Sequence, residues 1–380
     1  MGSEENRLQI LKRIKRILGI LAVNAVIMTV GILILELAFG GWLDSKRLNR
    51  LNLLRDCRLE YDVSGLYETP NPIIRHSRDK YGLRGNYSDP ASIDILTVGG
   101  STTDQRFIRD GETWQDVLEQ QFARQGAIVV VANAGVSGQS TYGHIKDFEW
   151  WFPSIPNLAP RFILFYVGLN DFYKDERHSL DDLYWDNNNV ILQSIKFNSA
   201  VYHLFRTLRG AYWAMIVSKV SDRSIDFKKM RWSTKCLQDN YEFMQPRLNA
   251  YADRLRTLAN MTRAFGAKPI FVSQPARQYR ITAAGIEGLE DTFFYDGYQY
   301  NGVDYYHMMK RLDSVTKTVA MEKNAQFVDL SASTAWNDAD FYDQMHMTPQ
   351  GVAKVGTLLY SAIKDIIVDP KSQNRPGVHR

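Results

Sequence analysis

The apolar residues of this chain fall into two regimes. Near the amino terminus, Ile17 to Leu35 form nineteen consecutive uncharged positions in which only Asn24 and Thr29 are polar. As a helix, such a run spans about 28 Å, close to the hydrocarbon thickness of a bilayer. Glu36 ends the run, and Leu37 to Leu43 extend it as an apolar shoulder with Trp42 at the expected interface. The pattern predicts a basic segment over 1–16 and a transmembrane helix over 17–43. A cleaved signal peptide is the competing reading. The run exceeds a usual signal core, however, and no small-x-small cleavage site follows it. A buried core helix is the third option, although an unbroken apolar stretch of this length is rare in a soluble domain. Met1-Gly2 opens like a myristoylation signal, but Asn6 stands where Ser or Thr is required. Lys12, Arg13, Lys15 and Arg16 crowd the start of the run more densely than Lys46, Arg47, Arg50, Arg55 and Arg58 follow it. That asymmetry predicts a cytoplasmic amino terminus and an extracytoplasmic carboxyl domain.

Beyond the run, residues 44–72 read as a polar, partly helical connector, with helical spacing from Arg47 to Arg58 and a break at Pro70 and Pro72. From residue 73 onward, short apolar runs alternate with amphipathic stretches. Ile93–Val98, Ile128–Ala132, Phe162–Val167, Pro269–Val272 and Phe327–Leu330 read as buried strands. Thr113–Arg124, Tyr142–Phe152, Tyr241–Phe265, Val303–Lys323 and Pro349–Ile367 read as helices, the last with Pro at its start. This rhythm predicts an α/β domain over 73–368 with a parallel sheet and helices on both faces. Two stretches interrupt it. Residues 174–238 hold an acidic, Asn-rich loop and then a helical Phe197–Val220 stretch; residues 277–302 are rich in Gly and aromatics. Both are expected as insertions on the loop side of the sheet. The tail over 369–380 is polar and expected to be disordered.

Composition narrows the function. The 380 residues are 45% hydrophobic and 23% charged, which excludes a disordered or collagen-like chain. A net charge of +4 gives no argument for a nucleic-acid partner. Cys57 and Cys236 are too few for a disulfide framework or a multi-cysteine zinc site; one disulfide is possible, and free buried thiols are the blander reading.

In a doubly wound sheet, ligands bind beyond the carboxyl ends of the strands, so the residues after each strand are the candidates for chemistry. Gly99-Gly100-Ser101-Thr102-Thr103 follows the first strand and brings a serine to a strand–helix junction, where an anion is favoured. Read alone, Ser101 could equally be a helix cap, and a phosphate loop is disfavoured because no Gly-Lys-Ser/Thr follows. Ser137-Gly138 follows the second strand and can offer an unobstructed backbone N–H. Gly168-Leu169-Asn170-Asp171 follows the third and can aim the Asn170 amide at the same point. Asp343-Gln344-Met345-His346 lies near the carboxyl end, where an Asp three residues before a His can orient the imidazole and free its other nitrogen to take a proton. His76, His144, His178, His203, His307 and His379 show no metal spacing, and neither metal nor cofactor is expected. Asp175, Asp181, Asp182 and Asp186 read as a solvated acidic loop. Trp150 and Trp151 read as core, and Tyr184 and Trp185 as rings that could stack on a sugar.

Taken in order, these four blocks resemble the SGNH/GDSL hydrolase family over roughly residues 75–368. Gly100 stands where the family's common nucleophile block has Asp, and Gly-Gly-Ser-Thr-Thr openings resemble those of membrane-anchored members linked to envelope glycans. The resemblance implies the SGNH fold: a flavodoxin-like three-layer α/β/α sandwich with a mostly parallel five-stranded sheet, here preceded by one transmembrane helix. It implies Ser101 as nucleophile, His346 as base and Asp343 as its orienting acid, with an oxyanion hole from the N–H of Ser101, the N–H of Gly138 and the side chain of Asn170. The expected function is a membrane-anchored serine esterase removing an acyl group, acetyl foremost, from a glycan or lipid. An O-acyltransferase acting on an envelope polysaccharide with the same triad is the alternative, and a non-catalytic envelope scaffold is the second alternative.

Overall fold

A computed structural model describes residues 2–42, 48, 51–172, 174, 181, 192, 194–195, 198–205, 208–209, 224–295, 297–332 and 336–368. The expected disorder of the tail over 369–380 and most of the 174–238 insertion lie outside the described residues. The chain divides into two compact units, one of Met1–Leu51 with Trp185–Val217 and one of Asn52–Tyr184 with Ser218–Arg380.

In the first unit, helix α1 runs from Gly2 to Phe39. Its Leu11–Phe39 part is long and apolar enough to cross a membrane, with a mean hydropathy of 2.6 and none of that window buried. The helix stops at Phe39, four residues short of the expected end at Leu43. Gly40 and Gly41 follow, and glycine is among the poorest helix formers. The Gly40 N–H closes the last turn on the Glu36 carbonyl at 2.9 Å.

The second unit opens with a correction. Cys57–Asp62 is strand β1, not the continuation of a helical connector, and it pairs antiparallel with β2, Ile73–Arg78, from Cys57 opposite Arg78 to Asp62 opposite Ile73. Asp56, at φ +45°, turns the chain into the left-handed region immediately before β1, so no helix can run through it. Long-range pairing then overrides the local helical spacing. The compact unit that holds the central sheet runs from Asn52.

The central sheet comprises β3 (Ile95–Gly99), β4 (Val131–Asn133), β5 (Phe162–Tyr166), β7 (Lys268–Val272) and β12 (Gln326–Val328), with β6 (Trp232–Ser233) lying elsewhere in the chain between β5 and β7. Among the described residues its order is β12-β7-β5-β3-β4, and every pairing is parallel. This is the flavodoxin-like order, with the switch point at β3, where successive connections depart to opposite sides. Side chains alternate across the sheet as strand geometry requires. Phe162, Leu164 and Tyr166 of β5 enter one core with Trp114, Leu118 and Phe122 of α3 (Trp114–Arg124) and Val352, Val355, Leu359 and Ile363 of the carboxyl-terminal helix (Pro349–Val368). Phe165, on the other side, stacks on Phe271 at 5.2 Å between ring centres. That second face is covered by the helices Gln245–Ala264 and Gly302–Glu322, which pack on each other and on β7. The helix expected over Tyr142–Phe152 is a short helix, Thr141–Lys146, followed by a wider turn over Asp147–Trp151 and a tight one over Phe152–Ser154, where Pro153 ends the ladder.

The 277–302 insertion has strand structure of its own. β8 (Tyr279–Thr282) and β9 (Gly285–Leu289) form an antiparallel ribbon that β6 joins on the β9 side, and β10 (Phe293–Tyr295) pairs with β11 (Tyr298–Tyr300). Both cysteines are free thiols.

Leu359 is fully buried between the carboxyl-terminal helix and the sheet. Leu359→Ala should therefore cost about 2–5 kcal/mol of stability, measured by denaturant unfolding of the purified protein, because the cavity it leaves cannot fully collapse.

Candidate active site

The parallel order brings the ends of β3, β4, β5 and β7 to one edge. β3 ends in Gly99, and Ser101 is the first residue of the single-turn helix Ser101–Asp104, with Gly100 as its cap. Ser101 is thus inside the helix rather than capping it, and its N–H has no acceptor within the helix.

The loop before the carboxyl-terminal helix approaches from the other end of the chain. Phe341 bridges Met347, and the Tyr342 N–H donates to the His346 carbonyl at 3.0 Å, so residues 342–346 form a closed turn. Within it, Asp343 Oδ1 accepts the N–H groups of Met345 (2.8 Å) and His346 (2.7 Å). Its other oxygen, Oδ2, accepts from His346 Nδ1 at 2.7 Å. With Nδ1–H committed to the carboxylate, Nε2 presents its lone pair to the Ser101 hydroxyl, 2.8 Å away across 245 positions of sequence. Burial pushes the Asp343 carboxyl up, but the hydrogen bonds from His346 and the two backbone N–H groups outweigh it and hold the group below the usual carboxylate range. The Tyr342 ring lies parallel to the imidazole, 8° between planes, and limits its rotation.

Two further residues singled out in the sequence border this line. Asn170 lies at the first turn after β5. Its Nδ2 sits so close to Gly100 that a Cβ there would fall 2.0 Å from it. With Asn170 in this position, a side chain at residue 100 would have to displace its amide. One N–H of that amide is held by the Gln139 carbonyl at 2.7 Å, which leaves the second to another acceptor. Gly138, at φ +82°, is the third residue of a turn closed by the Gln139 N–H on the Val136 carbonyl at 3.0 Å. Positive φ at this position demands glycine, and the Gly138 N–H is not the one that closes the turn. A cavity of ≈ 20 Å³, lined by Ser101, Phe107, Trp114, Tyr342, His346 and Met347, opens beside the hydroxyl. A larger cavity of ≈ 560 Å³ lies between β1, β2 and α3. It is lined by carboxylates and arginines with Cys57, whose thiol burial pushes up, away from the reactive thiolate.

The GDSL-like lipase/acylhydrolase family model matches residues 97–354, which contain all five of these positions. The chain belongs to the GDSL-like lipase/acylhydrolase family. Solved structures with a similar fold include TesA (13% identity, 72% of this chain, 99% of that one, TM-score 0.41). A variant of Axe2, an acetyl xylan esterase from Geobacillus stearothermophilus, is also similar (15%, 73% and 94%, TM-score 0.40). The psychrotrophic esterase EstA from Pseudoalteromonas sp. is a third (13%, 72% and 98%, TM-score 0.39). No curated protein matches the sequence.

In this GDSL-family chain, the blocks are held together by further buried polar residues, of which Arg78, Asp104 and Gln274 were not singled out in the sequence. Asp104, three residues after Ser101, is almost fully buried and accepts from Arg78 at 2.6 Å and from the Ser137 hydroxyl at 2.7 Å. Arg78 also donates to the Gly135 carbonyl. The pair therefore ties the Ser101 helix to the loop carrying Gly138 and to β2. Burial alone would raise the Asp104 carboxyl, but Arg78 beside it outweighs that and holds it ionised. Gln274, just beyond β7, accepts from the Leu169 N–H at 2.8 Å and donates to the Thr102 hydroxyl at 2.6 Å, so it links the Asn170 turn to the residue after Ser101. Asp171 accepts from Thr141 and from Arg254 and fixes the same turn from behind. Asp181 is not solvated as expected. It is buried and accepts from Ser140 N–H (2.6 Å), Ser140 hydroxyl (2.9 Å) and Lys174 (3.1 Å). Asp175, Asp182, Asp186, Tyr184, Trp185, His178 and His379 lie outside the described residues. Trp151 is core and Trp150 is partly exposed.

The spacing Ser101-x-x-Asp104 is the one signal that could have flagged this acid, since a helical turn brings i and i+3 together. Arg78 gives little local sign of its role because the partners that tie it to the site, Asp104 and Gly135, lie 26 and 57 positions away. Asp104→Ala strands the Arg78 guanidinium in a buried site, and such a loss should lower unfolding free energy by about 3–5 kcal/mol. Equilibrium denaturation of the variant measures it; a loss below 1 kcal/mol would contradict the clamp.

Proposed function

We propose that this chain is a membrane-anchored serine esterase that removes small acyl groups, acetyl foremost, from a glycan or lipid at the outer face of a membrane. The observation that carries the proposal is the 2.8 Å contact between Ser101 Oγ and an imidazole whose far nitrogen is already committed to Asp343. In this reading, Ser101 attacks the ester carbonyl while Nε2 of His346 takes its proton. The imidazolium faces the ionised Asp343, which stabilises the charge as it forms. The tetrahedral oxyanion receives hydrogen bonds from the Ser101 N–H at the helix start, the Gly138 N–H and the free N–H of Asn170. His346 then returns its proton to the leaving alcohol, and the same base activates water to release the acid.

The cavity beside Ser101 supports a small acyl group. A volume of ≈ 20 Å³ accommodates about one methyl-sized group, since a single water needs roughly 10–15 Å³ on this measure. Aromatic walls from Phe107, Trp114 and Tyr342 would suit a methyl group. The helical run ending at Phe39 supplies the anchor, and the basic residues Lys12 to Arg16 before it favour a cytoplasmic amino terminus with the hydrolase unit outside.

The kcat/KM of the purified protein should fall at least tenfold from p-nitrophenyl acetate to the butyrate, because each methylene beyond the pocket costs on the order of 1 kcal/mol or more. An unchanged or rising value with chain length would overturn the acetyl assignment. On the acetate, Ser101→Ala should abolish turnover. Asn170→Ala should lower kcat by about 10²–10³-fold with KM little changed. A change confined to KM would remove Asn170 from the oxyanion site.

A further inference from the structure

Glu36 is an anomaly in an otherwise apolar helix. It directly follows the uncharged Ile17–Leu35 stretch, so in a bilayer its carboxylate sits at one hydrocarbon boundary. The structure gives it a task inside the first unit. Oε1 accepts from the Ser199 hydroxyl (2.6 Å) and the Val201 N–H (3.2 Å); Oε2 accepts from the Ala200 N–H (3.0 Å) and the Trp42 indole (2.7 Å). Ser199 in turn accepts the Tyr202 N–H at 3.0 Å, the bond of a helix N-cap. The Gly41 N–H donates to the Asn198 carbonyl at 2.8 Å. The carboxylate at the end of α1 therefore satisfies the orphan N–H groups of a second helical segment, described at 200–205 and 208–209, and complements its positive end.

That second segment leaves its apolar residues uncovered. Val201, Leu204 and Phe205 recur at i, i+3 and i+4 and so share one face; Leu204 is 58% and Phe205 63% exposed, and Leu208, at the i+7 position of the same sequence pattern, is 60% exposed. Leu192 and Ile195, just upstream, are exposed as well, and Arg209 stands at the edge of the face. An apolar row of this size is not left in water by a soluble surface. Its starting point is fixed to the residue that marks the hydrocarbon boundary, and this continuity with the span names its occupant.

We infer that the helical residues 200–205 and 208–209 lie at the membrane interface, with Leu204, Phe205 and Leu208 inserted among lipid chains beside the outer end of α1 and Glu36 fastening the start of the segment there. The inference rests on the reading of α1 as a membrane span. The partner is the lipid surface itself, met by an amphipathic helix with a basic flank. The chain leaves the hydrolase unit at Tyr184 and returns at Ser218, so this insertion gives that unit a second membrane attachment besides the one through Leu51.

The test uses the full chain, with Cys57 and Cys236 replaced by Ser, reconstituted in phosphatidylcholine–phosphatidylglycerol vesicles. Nitroxide labels are placed one at a time at Val26, His203, Leu204, Phe205 and Leu208 by substitution to Cys. Collision rates with oxygen, which concentrates in lipid, are compared with those of a water-soluble nickel chelate. The expected result is oxygen in excess at Val26, Leu204, Phe205 and Leu208, and nickel in excess at His203, on the opposite side of the helix. Nickel in excess at 204, 205 and 208 with oxygen still in excess at Val26 would overturn the interfacial helix and leave the span intact. Protection of 204, 205 and 208 from both colliders would also overturn it, since protein would then cover the face. Nickel in excess at Val26 would instead refute the span.

Discussion

An ionised carboxylate sealed under the first turn after a strand is costly unless its charge is met, and Asp104 is such a group. Arg78, reaching from the edge of β2, meets that charge, and the Ser137 hydroxyl takes a further lone pair. The consequence is geometric. Three segments that share no sequence proximity, those of Arg78, Ser101 and Gly138, are pinned to one buried charge. The second pin is neutral: Gln274 spans Thr102 and the Leu169 N–H. Between them, the two pins hold the ends of β3, β4 and β5 in a fixed relation, which a hydrogen-bonded relay at this edge requires.

The relay is built to a different rule from its support. Asp343, His346 and Ser101 are only partly buried, and so they are ordered by hydrogen bonds rather than by packing. The turn that carries them is self-sufficient. Asp343 caps two backbone N–H groups with one oxygen and orients the imidazole with the other, while Tyr342 lies along the ring. The proposed esterase chemistry thus asks a rigid, buried network to position donors and a semi-exposed turn to position the base.

The strands and helices of the α/β unit were legible because apolar runs of five residues bounded by glycine, and amphipathic stretches of ten to twenty, encode their burial locally. The first three of the four blocks were legible because each follows a strand end, and the fourth because an Asp three residues before a His can orient its ring. What escaped was set by partners far away in sequence. The helical spacing read over Arg47–Arg58 runs into the start of β1, whose residues are claimed by β2, and a left-handed Asp56 separates β1 from what precedes. Asp181, read as one of a solvated acidic run, is buried against Ser140, 41 positions upstream. Glu36 looked like the end of a hydrophobic run, and its role as a cap depends on residues more than 160 positions downstream. The closeness of Gly100 to the Asn170 amide, set by the first turn after β5, is likewise visible only in the fold. In each case a pairwise contact across the fold, rather than local propensity, decided the outcome.

The central claim is that His346 makes Ser101 a nucleophile. Mass spectrometry of peptides from protein treated with a fluorophosphonate tests it directly. The account predicts a single phosphonyl adduct on the peptide containing Ser101, forming rapidly in the natural protein and far more slowly in folded His346→Ala. An adduct on another residue, or equal labelling of Ser101 with and without the imidazole, would contradict it.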